Sequence, residues 1–269
     1  MKSISDKLQG FGPIYWVTLK TSLERQSLMQ DQFNNLGISN HKAFYGFDCR
    51  ETDAYSIPGF LDGPCIRSIP PGHICSVISH LQAIKEWYSS EDSEYLVVME
   101  DDMYLGSVQY WNFTWQDIIL RLPDDWEVVQ LSLIRETPIS QSFMRLRYRY
   151  NNNWSAGAYM LKRSYAKKLI DKFFTNTGFY FDVYSFGDHL LPLIENVLFE
   201  INEEWGAYTI PLFNENVSIP SSFYPNFIDT EHKFDSHVNS AKFIQEWWET
   251  LGKDKSVDEL MAPTFLYLD

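Results

Sequence analysis

The chain has 269 residues, 45% of them hydrophobic and 22% charged, with a formal net charge of −14. That length and mixture exclude a disordered or fibrous protein and are enough for one large α/β domain or two small ones. The acidic surplus repels phosphate backbones and anionic lipid, so neither nucleic acid nor a membrane surface is expected as a partner, and an anionic ligand must be caught locally.

In chain order, Met1 to Gly12 has no long apolar run after its charges, and no later segment supplies the ~18 uninterrupted apolar residues of a spanning helix. No membrane span is expected. Pro13 to Lys20 is β-branched and aromatic enough for a buried strand. Thr21 and Glu24 make a capping-box pattern, after which Leu28, Met29, Phe33 and Leu36 repeat at helical spacing up to Gly37. His41 to Phe47 predicts a second strand, and Pro58 to Gly72 a Gly- and Pro-rich loop. From Gly72 to Tyr88, Ile74, Val77, Ile78, Leu81, Ile84 and Tyr88 share one helical face, with Cys75, Ser79, Gln82 and Glu86 opposite. Tyr95 to Met99 is a continuous apolar run, as in a strand covered on both faces, and it ends in Glu100-Asp101-Asp102.

Further on, Ile118 to Leu122 closes a short helix, and Trp126 to Leu133 and Ala158 to Leu161 predict strands. Ser164 is placed to cap a helix running to Phe174, Tyr208 to Phe213 predicts one more strand, and Ser236 to Leu251 a closing amphipathic helix. Strands and helices alternate, which predicts a mostly parallel α/β sheet with helices on both faces. No repeat or linker interrupts residues 1–269, so one domain is expected. Cys49, Cys65 and Cys75 are odd in number and lack metal-type spacing, which predicts free thiols in a reducing, cytoplasmic compartment. The sequons at Asn112, Asn153 and Asn216 are then without consequence.

Ligands of open α/β sheets bind at the carboxyl ends of strands, where Glu100-Asp101-Asp102 is expected. Grouped carboxylates cost little on a wet surface but repel strongly in a cleft, where Mg²⁺ or Mn²⁺ would remove the cost and engage phosphate oxygens. The alternative is a solvated loop. Arg25 either reaches donor phosphates or base, or is a solvated helix-surface arginine. His80, at the edge of its helix's apolar face, is either a half-buried hydrogen-bonded side chain or part of a site. Asp188 is either a helix cap before Leu190 to Leu198 or an acid/base group, with Asp182 as its nearby substitute. In MRLRYRY, Arg145, Arg147 and Arg149 alternate onto one strand face, which would meet an anionic acceptor or lie solvated on an edge strand. His232 and His237 are late candidates for metal coordination.

Taken together, several segments resemble glycosyltransferase family 25, the group containing lipopolysaccharide and collagen galactosyltransferases. YWVTLKTSLERQSLMQDQF is similar to the family's opening, in which Asn-Leu-Lys precedes Glu-Arg, with Thr18 in place of the Asn. GHICSVISHLQAIKEW resembles its Ser-His-Leu helix through Ser79-His80-Leu81, with Cys75-Ser76 near its Gly-Cys. VVMEDD resembles its acidic strand end and DDWEVVQLSL the strand after it. GAYMLKRSYAKKLID resembles a Gly-x-x-Tyr-x-x-Ser stretch, from which Lys162-Arg163-Ser164 departs. GDHLLP is similar to an Asp-x-x-Leu segment, and YTIPLFNENVSIPSS to the closing strand and loop.

The resemblance implies a GT-A, Rossmann-like fold that transfers galactose or glucose from a UDP-sugar to a glycan or protein hydroxyl, metal-dependent and inverting. It implies Asp102 as metal ligand for Mn²⁺ or Mg²⁺ and Asp188 as the base for the acceptor hydroxyl. Thr18, Arg25, Ser79, His80, Glu100 and Asp101 would be donor-binding. Two rivals remain at this level: an inactive carbohydrate- or partner-binding relative of the same fold, and a metal-dependent phosphohydrolase. The second lacks a GxxxxGK[ST] phosphate loop.

Overall fold

The computed structural model describes residues 2–51, 60–61, 70–149, 153–176, 178–180, 193–199, 206–219 and 231–262. Asp182, Asp188 and most of the loop from Pro58 to Gly72 lie outside these residues, as does the side chain of His232.

The strands are β1 (Ile14–Thr18), β2 (His41–Tyr45), β3 (Phe60–Leu61), β4 (Tyr95–Glu100), β5 (Met103–Tyr104), β6 (Val128–Gln130), β7 (Arg147–Tyr148), β8 (Ala158–Lys162), β9 (Phe174–Thr175), β10 (Gly178–Tyr180), β11 (Ala207–Thr209) and β12 (Asn214–Glu215). The helices are α1 (Ile4–Lys7), α2 (Leu23–Leu36), α3 (Pro71–Ser90), α4 (Trp115–Ile119), α5 (Arg163–Phe173), α6 (Ile194–Phe199), α7 (Glu231–Thr250) and α8 (Val257–Met261).

Seven strands form the central sheet in the order β2-β1-β4-β8-β6-β11-β7. β2, β1, β4, β6 and β11 run in one sense and β8 and β7 in the other, so the sheet is mostly parallel, as the alternating pattern requires. Because successive strand side chains face opposite ways, β4 sends Leu96 and Val98 to one core and Val97 and Met99 to the other. The first core holds Ile84 and Trp87 of α3, Leu169 of α5 and Val197 of α6. The second holds Met29 and Phe33 of α2, Trp115 of α4, Trp247 and Trp248 of α7 and Leu260 of α8. Helices therefore cover both faces, and the α/β class is that of the Rossmann-like GT-A sheet.

Several local expectations are corrected. Thr21 does not cap α2: Ser22 stands at the N-cap without a side-chain bond, because the Thr21 hydroxyl is turned to Asp48 at 3.4 Å. Ser164 likewise does not cap α5, which starts one residue earlier at Arg163 with its guanidinium on the carbonyls of Tyr88 and Glu91. Gly37 does end α2, at φ 68°, a left-handed conformation that costs glycine nothing. α3 is buried more widely than one stripe, since Cys75 and Ser79 are inside as well. The MRLRYRY segment is strand only at Arg147–Tyr148, and Arg147 is not solvated. Its guanidinium lies 3.8 Å from the Phe143 ring centre, and the Leu146 amide is bound by the Leu260 carbonyl, so the preceding turn and α8 cover that edge. The cysteines are not all free thiols: Cys49 and Cys75 form a disulfide.

Candidate active site

The strand order reverses between β1 and β4. From β1 the chain passes through α2 to β2 on one side, then returns through α3 to β4 on the other. Such a switch point opens a crevice at the carboxyl ends of the strands, which is where ligands of this architecture bind. The crevice here is an open cleft lined by the end of β1 (Val17, Thr18), the loop after β2 (Gly46 to Arg50), one side of α3, Arg25 and the three acids Glu100, Asp101 and Asp102 at the end of β4.

The acids are not a solvated loop. Asp101 is 5% exposed, and its two oxygens are both taken within the protein. Thr18 Oγ1 donates to Oδ2 at 2.6 Å, and Arg25 Nη1 donates to Oδ1 at 2.5 Å. Arg25 Nη2 reaches Asp102 Oδ2 at 2.9 Å, so this arginine, only 9% exposed, is a buried clamp rather than a solvated helix residue. Burial opposes the charge on Arg25, but Asp102 and Asp101 outweigh it and raise its pKa.

Asp102 is the acid with capacity left. Its Oδ1 is buried and has no hydrogen-bond partner. Burial, reinforced by the charges of Glu100, Glu215 and Asp101 and only partly opposed by Arg25, pushes its pKa up to about 8. Glu215 arrives because β12 pairs antiparallel with β5, in a register that sets Glu215 opposite Met103, next in chain to Asp102. The Asn216 amide donates to the Asp102 carbonyl at 2.6 Å and fixes that approach. Glu215 Oε2 in turn holds His237 Nδ1 of α7 at 2.7 Å. Burial lowers the His237 pKa, but the Glu215 hydrogen bond and the charges of Glu215, Asp102 and Glu100 outweigh it and raise it.

Glu100, the last residue of β4, accepts from His80 Nε2 at 3.2 Å, and His80 Nδ1 meets the Tyr159 hydroxyl of β8 at 3.0 Å. Ser79, the neighbour of His80, is committed to architecture: its hydroxyl accepts the Phe47 amide at 2.9 Å and donates to the Cys75 carbonyl at 2.6 Å. A Cβ on Gly46 would sit 2.7 Å from that hydroxyl, so the loop after β2 can approach α3 only with glycine there. The Cys49–Cys75 bridge fastens the same loop to the same helix.

The structure thus gathers Thr18, Arg25, Ser79, His80, Glu100, Asp101 and Asp102 around one cleft. Asp188 lies outside the described residues. Sequence reasoning missed Glu215 and Tyr159: an acid on a two-residue strand carries no local mark, and Tyr159 reads as an ordinary strand aromatic. Among the described residues no group of three or more His, Cys, Asp or Glu side chains is placed to hold a metal ion. A site served by one or two carboxylates, with the remaining positions left to phosphate oxygens and water, is the usual arrangement for Mg²⁺, and the buried, unpartnered Asp102 Oδ1 suits it.

Sheet order, switch-point cleft and acidic strand end define an α/β protein of the Rossmann-like GT-A class. The sequence pattern of Glycosyltransferase family 25 (LPS biosynthesis protein) matches residues 11–184, more than half of the chain, and the chain belongs to that family. Among solved structures it is similar to HddC from Yersinia pseudotuberculosis, at 12% identity over 78% of this chain and 75% of that one, with a TM-score of 0.34. It is also similar to a glycosyltransferase involved in the glycosylation of the major capsid of PBCV-1, at 13% identity over 88% of this chain and 98% of that one, with a TM-score of 0.34. No curated protein matches the chain. No helix among the described residues is long and apolar enough to cross a membrane.

Proposed function

We propose that this glycosyltransferase moves a hexose, galactose or glucose, from a UDP-sugar to a hydroxyl of a glycan or protein acceptor, with inversion and with Mn²⁺ or Mg²⁺. The observation that carries this reading is the charge balance of the cleft. Around Asp102 the carboxylates of Glu100, Asp101 and Glu215 make four in all, against which the described residues set Arg25 and His237, while Asp48 and Arg50 on the loop wall pair with each other. A diphosphate cannot be drawn into such a place by the protein alone, and Asp102 keeps a buried oxygen without a partner.

When bound, the divalent cation would neutralise these acids and the leaving diphosphate together. Asp102 is the residue to hold it, and His237 is the next candidate, because its Nδ1 is fixed by Glu215 in the way that carboxylates orient ligating imidazoles. Asp101 has both oxygens committed and serves as the strut that seats Arg25 and Thr18. Glu100 keeps one oxygen for the donor's sugar or ribose. Arg25, beside the acids, adds positive charge where the diphosphate would lie. Asp188 remains the proposed acceptor base on the strength of the family resemblance, since a carboxylate within hydrogen-bond reach of the hydroxyl, opposite the leaving group, gives inversion. The disulfide speaks against a reducing cytoplasm as the compartment in which the folded chain works.

The decisive experiment incubates the protein with a panel of nucleotide sugars and Mn²⁺, with and without chelator, and follows donor loss and products by mass spectrometry. UDP-hexose consumption that chelator abolishes is the expected result. Absence of both binding and turnover across the panel would overturn the proposal.

A further inference from the structure

His80 resembles a donor-contacting residue in sequence, but its ring is 1% exposed and both nitrogens are occupied by protein groups. Tyr159, fully buried on β8, stacks on it with ring centres 5.8 Å apart and planes inclined by 25°. The hydrogen-bond chain Tyr159 Oη, His80 Nδ1, His80 Nε2, Glu100 Oε1 spans 3.0 Å and 3.2 Å at its two contacts and crosses from β8 through α3 to the end of β4.

We infer that His80 is a positioning residue, held by Tyr159 with its Nε2–H aimed at Glu100, so that it donates to that carboxylate and fixes which oxygen is offered to the donor. The chemistry of the three groups sets the direction. An ionised carboxylate only accepts, so Nε2 must carry the proton. Nδ1 is left to the Tyr159 hydroxyl, which can donate to it and so hold the proton of the ring on Nε2. Burial and the Glu100 charge both oppose ionisation of that phenol, which keeps it a donor. Glu100 Oε1 is thereby consumed, while Oε2 has no hydrogen bond within the described residues, and Glu100 lines the cleft. A buried imidazole that hydrogen-bonds a carboxylate and so fixes its rotamer is an ordinary means of holding a site to productive geometry. This assignment rests on the donor-binding role proposed for Glu100.

The test has two independent parts. Long-range ¹H–¹⁵N correlation spectra, with His80 assigned by comparison with H80Q, should show its ring in the Nε2–H form, and Y159F should shift it toward a tautomer mixture. In kinetics, H80F should lower kcat/KM for the nucleotide sugar about 10- to 100-fold, as loss of a hydrogen bond to a charged group predicts. H80Q, whose amide can still donate, should recover most of this, and Y159F should fall between. An Nδ1–H ring in the wild type would overturn the inference, as would equal losses in H80F and H80Q with a silent Y159F. If H80F fails to fold by circular dichroism, the tautomer readout and Y159F decide. A wild type that turns over no nucleotide sugar would sink the proposed function alone, since the tautomer is read without turnover.

Discussion

Thr18 Oγ1 donates to Asp101 Oδ2 at 2.6 Å, tying the carboxyl ends of the two parallel strands that flank the switch point. Arg25 completes the knot from α2, and all three side chains are buried. Asp101→Ala would remove both of these bonds to a charged group while leaving Arg25 its second partner, Asp102, a loss of about 1.5–3 kcal/mol for each bond. Asp101→Ala should therefore lower the urea midpoint sharply with an unchanged m-value. Thr18→Val, which removes one hydrogen bond to a charged group, should cost about 1.5–3 kcal/mol. If Asp101→Ala unfolds like the wild type, the clamp is not structural.

The raised pKa of Asp102 makes cation binding depend on pH. Its folded-state value, about 8, lies above the unfolded reference of 3.8, so the folded chain without cation binds a proton that the unfolded chain has released. This group's contribution to stability is then complete below pH ~4 and is lost as pH rises toward 8. A cation needs the ionised carboxylate, so Mn²⁺ affinity should climb between pH 6 and 8, and binding at pH 6.5 should release a proton. Calorimetry in two buffers of different ionisation enthalpy measures that release directly. Asp102→Asn should weaken Mn²⁺ binding and reduce both the release and the pH dependence; a pH-independent affinity in the wild type would contradict the assignment.

Gly46 is a steric requirement rather than a conformational one. A methyl at that position would meet Ser79 Oγ at 2.7 Å, and this hydroxyl is pinned by the Phe47 amide and the Cys75 carbonyl. Overpacking of this kind typically costs about 1–3 kcal/mol. Gly46→Ala should lose that much in thermal unfolding and weaken UDP binding, because the loop that lines the cleft must move. Adding Ser79→Ala, which makes room, should restore part of the loss, and a double variant no better than the single one would refute the contact.

Much of this architecture was legible in the sequence. The YLVVM run predicted a strand buried on both faces, and Leu96, Val97, Val98 and Met99 divide between the two cores. The acidic end of that strand and its cleft followed from the same pattern. What stayed hidden depends on contacts between distant segments. Thr21 has the local look of a cap, but Asp48, which comes from the loop after β2, competes for its hydroxyl. Glu215 reaches Asp102 only through the β5–β12 pairing, which two-residue strands cannot announce. The cysteines mislead for a related reason: parity and spacing say nothing about a loop and a helix that the fold brings together.

The Cys49–Cys75 disulfide joins residues 26 apart in sequence and spans the wall of the cleft. Cys49 belongs to the loop after β2, while Cys75 lies one turn before Ser79 and His80 on α3. Closing a loop of that length restricts the unfolded chain by roughly 3 kcal/mol in the chain-entropy account. Reduction by a dithiol, or the Cys49→Ala/Cys75→Ala variant, should lower the urea midpoint accordingly. Its effect on the site should be uneven, because the acid clamp is built from β1, β4 and α2, which the bridge does not touch. Mn²⁺ binding is thus expected to survive reduction, while UDP binding, which uses the loop wall, should weaken. Calorimetric titration of each ligand before and after reduction separates the two. Equal losses for both ligands would mean that the bridge supports the whole crevice rather than one side of it.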